Sequence, residues 1–211
     1  MNNILELLQG ETGRTLLNGT AQETNQPANK TGELLSLALP VLMGAMRRNA
    51  NSSGGAEGLL NALNDRHDGS VLDNLGTLFE GGYTRETFAE GEGILSHVLG
   101  NKQEGVASAL GSRVGMDTGD VMNILKMVAP IVMGYLGKQQ RSQGVNSPND
   151  LGDLLGGLLG GGQSQNQQGL IEAFLDSDGD GSAMDDLVGM FLKDKKQGGL
   201  GDLLGGFLGK Q

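Results

Sequence analysis

The 211-residue sequence contains no cysteine and no tryptophan, and aromatic residues make up only 3% of it. Without thiols there is no disulfide, no zinc–thiolate centre and no thiol nucleophile. Two histidines, His67 and His97, leave carboxylates as nearly the whole stock of acid–base groups. No Gly-x-Ser-x-Gly elbow occurs, and Gly137-Lys138 and Gly209-Lys210 are each followed by glutamine, without a phosphate-binding framework. These gaps lead us to expect a non-enzymatic protein with no catalytic residues, no small-molecule substrate and no organic cofactor. A basic stripe with interleaved aromatics is also missing, which argues against a nucleic-acid partner. No apolar run approaches the roughly 20 residues of a membrane span. The opening Met1-Asn-Asn-Ile-Leu-Glu6 has neither a basic n-region nor a sustained apolar stretch, so no signal peptide is expected and the cytoplasm is the default compartment.

What the chain does have is leucine, alanine, methionine and an excess of glycine, 38 residues, with strand formers scarce. This composition predicts an all-α fold, a multihelical bundle. Each glycine costs a helix roughly 1 kcal/mol relative to alanine, so the helices must be short or closely packed. The formal charge is −10 and uneven: residues 146–211 carry ten acids against four bases. An acidic segment of this kind suits a cation or simple solubility.

Apolar residues Leu34, Leu37, Ala38, Val41, Leu42 and Ala45 recur at helical spacing and predict a helix over Thr31–Arg48, with Pro40 inside it and a kink where Ser36 loses its hydrogen-bond donor. Shorter helices are expected near Ile94–Leu99, Gln103–Val114 and Asp120–Lys138. The segment Leu37–Met46 matches Met127–Leu136 in a shared Pro-(Val/Ile)-x-Met-Gly register, and Leu63–Leu75 matches Leu175–Leu187 around an Asp-Gly-Ser core. The spacing from Pro40 to Asp68 is 28 residues, and from Pro130 to Asp180 it is 50. A degenerate duplication with a Gly-rich flexible insertion accounts for the difference. The expected organisation is a helical domain over 1–143, a Gly/Gln/Ser/Asn-rich insertion over 144–168, an EF-hand-like helix-loop-helix over 169–194 and a Leu/Gly-rich tail over 195–211. Leu151, Leu154, Leu155, Leu158 and Leu159 share their spacing with Leu200, Leu203, Leu204, Phe207 and Leu208. Both stretches are too short and glycine-rich to be helical alone in water, and both need a partner.

The sharpest chemical motif is Asp176-Ser-Asp178-Gly-Asp180-Gly-Ser182-Ala-Met-Asp185-Asp186. Acids at loop positions 1, 3 and 5 and glycine at 6 reproduce the first half of an EF-hand, in which alternate residues of a curving loop converge on one Ca²⁺. Expected ligands to that one Ca²⁺ are Asp176, Asp178, Asp180, Ser182 through its carbonyl, and Asp186. Position 12, normally a bidentate glutamate, is Leu187, which places the affinity in the range of roughly 10⁻⁵ to 10⁻³ M. A metal-free alternative exists: Ser182-x-x-Asp185 also fits a helix-capping box. The earlier copy, Asn64–Asn74, has Arg66 where an oxygen ligand belongs, and a guanidinium there could replace the ion by pairing with Asp68 or Asp73.

His97 on an apolar helix reads as structural, and His67 in the degenerate loop as solvated. Met43, Met46, Met122, Met127 and Met133 read as core, with a peptide-binding groove as the alternative. Gly93-Ile-Leu-Ser-His97-Val-Leu-Gly100, followed by Ala129-Pro130-Ile-Val-Met133-Gly134-Tyr-Leu136-Gly137, resembles the bacterial DUF937 family, a domain of unknown function, and more distantly YidB-like helical proteins. The His67–Ser70 and Asp178–Ser182 segments extend the likeness over most of residues 1–192. The resemblance implies a bacterial, mainly helical protein and no particular activity. The expectation is therefore a structural or protein-interaction protein that binds one Ca²⁺. Its alternative is a metal-independent self-associating scaffold built on the Leu/Gly segments.

Overall fold

The computed structural model describes residues 4–52, 54–80 and 84–159, and among these the regular elements are all helices, with no strand. A 3-10 turn over Ile4–Leu8 leads into α1 (Glu11–Glu23), followed by α2 (Ala28–Ala50), α3 (Gly55–Asp65) and the single turn α4 (Ser70–Asp73). Then come α5 (Leu75–Glu80), α6 (Arg85–Leu99), α7 (Gln103–Val114), α8 (Thr118–Gln143) and α9 (Pro148–Leu158).

The two long helices, α2 and α8, are the interior. Leu34, Leu35, Leu39, Met43 and Met46 of α2 and Ile124, Val128, Ile131, Val132 and Leu136 of α8 are fully buried, and shorter helices pack around both. Each long helix runs without a break through a central proline, Pro40 and Pro130. Proline lacks an N–H, so the carbonyl four residues back loses its partner: Ser36 in α2 and Lys126 in α8. The two orphans have different surroundings. Ser36 is exposed, where water can take the carbonyl. At Lys126, α6 crosses so closely that a Cβ on Gly91 would fall on the carbonyl oxygen. Gly91 therefore directs a Cα hydrogen at the acceptor that Pro130 left unpaired.

A second such approach holds the α3–α4 connection. A Cβ on Gly137 of α8 would collide with the carbonyl of His67, and one on Gly134 with the side chain of Val71. Gly69, with φ +95°, turns the chain there in a conformation that L side chains rarely adopt.

The helix α9 lies within the stretch expected as an insertion. Ser147 caps it, its Oγ accepting from the Asp150 N–H at 3.3 Å, and Pro148 sits in the first turn. Leu151, Leu154, Leu155 and Leu158 are all buried, and α9 packs against α2 and α3. Four buried leucines contribute about 6–12 kcal/mol before ordering costs, against about 3 kcal/mol for glycines at 152, 156 and 157. The partner this segment requires is thus the α2/α3 surface.

Among the described helices, α8 alone is long and apolar enough by composition to cross a membrane, but 72% of its most apolar window is buried inside the protein. The expectation that no apolar stretch reaches that length holds for unbroken runs, not for this helix averaged over a window. Residues 160–211, which include the expected EF-hand-like unit and the Leu/Gly tail, lie outside the described residues.

Gly137→Ala should destabilise the fold by about 1–3 kcal/mol, since backbone rather than a movable side chain must yield. Gly105→Ala, where a Cβ meets open space, should be neutral or stabilise by up to about 1 kcal/mol. Urea denaturation of the two variants checks this, and equal effects would contradict it.

Candidate functional site

Two helices of the outer layer, α3 and α6, lean on the same pair of interior helices and leave a groove between them. The turn that starts α3 is tight: Ser52 Oγ donates to the Asn49 carbonyl at 2.6 Å, and Gly54 at φ +83° reverses the chain. Burial of Ala56, Leu59, Leu60 and Leu63 fixes the face of α3 that meets the core. That leaves Gly54, Gly58 and Ala62 on the groove side. On α6, Thr84 caps the first turn by accepting from Thr87 N–H at 3.2 Å, and Gly91, Leu95 and Leu99 face inward. Glu86, Ala89, Glu90, Gly93, Ile94 and His97 form the opposite wall. Met46 and Met133, both buried, lie at its base, and the half-open space is about 1020 Å³. Of the methionines read as core, Met43, Met46, Met127 and Met133 are buried and Met122 is half-buried; Met46 and Met133 also lie at the base of this groove.

Both histidines line the groove. His97 is exposed, its Nδ1 is 2.8 Å from the Gly93 carbonyl, and its own carbonyl accepts from Asn49 Nδ2 at 2.9 Å, which ties α6 to the end of α2. This is the structural role expected of it. His67 corrects the sequence reading: instead of being solvated it is 8% exposed, with its backbone pressed onto Gly137 of α8. Its Nε2 is 3.9 Å from a Glu90 carboxylate oxygen, too far for a hydrogen bond. Desolvation lowers its pKa from the usual 6.5, while Glu90 pulls the other way and Arg66 adds to the lowering.

The Asn64–Asn74 loop also departs from expectation in its counter-ions. Arg66 does not serve Asp68 or Asp73; α8 does. Arg141 donates to the Asp68 backbone carbonyl at 2.7 Å and lies 3.7 Å from its carboxylate, and Lys138 reaches Asp73 at 3.3 Å. Asp68 accepts from Ser70 N–H at 2.9 Å, and the hydrogen bonds with Ser70 hold its carboxyl below the usual range. Among the described residues no group of three or more metal-ligating side chains comes together. The predicted Ca²⁺ ligands Asp176, Asp178, Asp180, Ser182 and Asp186 lie outside the described residues.

The groove is not legible as a site in the sequence. Its walls mix glycine and alanine with Asp65, Arg66, His67, Glu86, Glu90 and His97, which form no motif in the sequence, and the methionines at its base look like ordinary core.

An all-helical body with an outer-layer groove defines a class of architecture, not an activity. The comparison with known families is more specific: the model for bacterial proteins of unknown function, DUF937, matches residues 6–139, and this chain belongs to that family. No curated protein and no solved structure matches it.

The lowered His67 pKa has a definite consequence for stability. Because the folded value lies below the unfolded one, the unfolded chain binds more protons in the interval between them. His67 therefore costs nothing above about pH 6.5–7 and progressively destabilises the fold as pH falls from there through its folded pKa. The His67→Gln variant should show a flatter stability profile between about pH 7 and 5 in urea titrations; an unchanged slope would rule out a desolvated His67.

Proposed function

We propose that this protein is a non-enzymatic interaction protein: a helical body that docks short amphipathic segments, joined to one Ca²⁺ loop at Asp176–Asp186. The observation that carries the docking part is α9. A glycine-rich segment too weak to fold by itself is helical here because four leucines are buried against α2 and α3. The α3/α6 groove offers a place for another such segment, with Gly54, Gly58, Ala62, Ala89 and Gly93 among the residues that line it.

The Ca²⁺ reading rests on the Asp-x-Asp-Gly-Asp-Gly-Ser spacing. The degenerate copy supports it indirectly. Of the three aspartates in Asn64–Asn74, Asp68 and Asp73 are compensated by Arg141 and Lys138. The sequence 176–186 has five aspartates and no basic residue, so a bound cation is the natural compensation. The internal Pro-Met-Gly repeat agrees with a duplication, since α2 and α8 both carry a central proline within a buried helix. In the cytoplasmic setting expected from the sequence, where resting Ca²⁺ is low, a site of this affinity would sit empty at rest.

Isothermal titration of Ca²⁺ into the EDTA-treated full chain should give one site with a Kd of roughly 10⁻⁵ to 10⁻³ M, abolished by Asp178→Ala. No heat and no thermal shift at millimolar Ca²⁺ would end the metal reading.

The same α9 observation favours a second reading, self-association through the Leu/Gly segments independent of metal. Removing residues 198–211 should then lower the particle mass in light scattering, and an unchanged mass would count against it.

A further inference from the structure

We infer that the α3/α6 groove selects basic partners, by seating a lysine or arginine side chain of a docked segment between Glu90 and His67. The inference rests on reading that groove as a docking surface and adds the chemistry of what docks. Its walls run antiparallel. Asn49, just before α3 begins, bonds to the end of α6 at His97, while His67, just past the end of α3, faces Glu90 in the first half of α6. The groove therefore has two unlike ends. Around Asn49 lie Gly54, Gly58, Ile94 and Val98, with no carboxylate among the lining residues. Around His67 lie Asp65, Glu86 and Glu90, three carboxylates against the guanidinium of Arg66. Among the described residues no lysine or arginine pairs with any of these three, although Glu92, Asp73 and Asp68 are served by Lys126, Lys138 and Arg141.

Surface carboxylates are ordinarily solvated and mark no site by themselves. His67 is the second, independent observation. It is only 8% exposed and lines the groove, yet its ring makes no hydrogen bond among the described residues and neither nitrogen is sealed off from the surface. A polar group this buried ordinarily has a partner. Desolvation keeps the ring neutral at pH 7, so it offers a lone pair, and the tautomer with that pair on Nε2 directs it toward Glu90. Nε2 and the carboxylate oxygen stand 3.9 Å apart, too far to bond each other. A donor on the groove side at ~2.9 Å from both would bridge them. An ammonium or guanidinium does so with N–H groups to spare, and brings the charge that the three carboxylates call for. The uncharged end suits an apolar side chain: Glu90 to Ile94 is one helical turn, about 6 Å. A segment with a basic residue and an apolar one a turn apart matches both ends. A second copy of this chain, at −10, is a poor electrostatic match.

The test uses the full chain and two fluorescein-labelled, alanine-rich helical peptides. One carries a lysine four residues before a leucine, and the other has glutamate in place of that lysine. Fluorescence anisotropy should show saturable binding of the lysine peptide and at least about tenfold weaker binding of the glutamate peptide. A chain of charge −10 attracts any cation weakly, so variants decide where the peptide sits. Glu90→Gln, at an exposed position, should weaken the lysine peptide roughly three- to tenfold, and Arg66→Gln, which removes the opposing charge, should tighten it. Gly58→Leu, where a Cβ meets open space, should block the groove. Lysine-peptide binding indifferent to Glu90→Gln and to Gly58→Leu places the peptide elsewhere and overturns the inference. Hexylamine that displaces the lysine peptide at equal concentration assigns the site to a free amine and overturns it as well. Equal affinity for the two peptides, with both blocked by Gly58→Leu, keeps the groove as a docking surface and removes its charge selectivity alone. Binding of neither peptide removes both.

Discussion

The arrangement of the helices depends on one backbone contact, the crossing of α6 over α8 at Gly91. Pro130 deprives the Lys126 carbonyl of its helical donor, and a buried acceptor without a partner costs about 1–3 kcal/mol. In this fold the acceptor is covered by a glycine backbone, close enough that no side chain could stand there. That approach sets the height of α6 above α8, and with it the depth of the groove that α6 shares with α3. The related contact at Gly137 fixes the His67 backbone and so the head of the same groove. At Gly91, Gly134 and Gly137 glycine is a means of approach, whereas at Gly58, Gly93 and Gly105 a Cβ would meet open space.

The same balance explains α9. Its leucines contribute more than its glycines cost, but only while the α2/α3 surface is available. Segments of this kind are conditional helices. A second, nearly identical copy of the α9 sequence stands at 200–209, a further segment of the kind that the proposed docking function would use. Membership of a bacterial family of unknown function is consistent with that reading and does not itself assign it.

Much of the fold can be read from periodicity, and the departures have physical causes. Helix α7 occupies the residues its pattern predicts, Gln103–Val114, because its apolar spacing and the following Gly115 mark both ends. Helix α2 begins at Ala28 rather than Thr31, since Asn29 and Lys30 are exposed or nearly so and carry no apolar signal. The first half of α6, Arg85–Glu92, escapes the pattern for the same reason: its groove-facing positions are small or acidic. Tertiary contact, invisible to local pattern, decides two further points. His67 is buried because α8 offers a glycine beneath it, and Asp68 and Asp73 find their cations 65–73 residues away on α8 rather than in their own loop. The Ca²⁺ ligands rest on motif spacing alone.

A double-mutant cycle across Gly91 and Pro130 tests the central contact most directly. If the close crossing exists because Pro130 leaves the Lys126 carbonyl open, Gly91→Ala and Pro130→Ala act on one structural unit. The account predicts that their effects on unfolding free energy deviate from additivity by more than about 0.5 kcal/mol. Additivity within that margin would show that the α6–α8 approach is independent of the proline, and would contradict it.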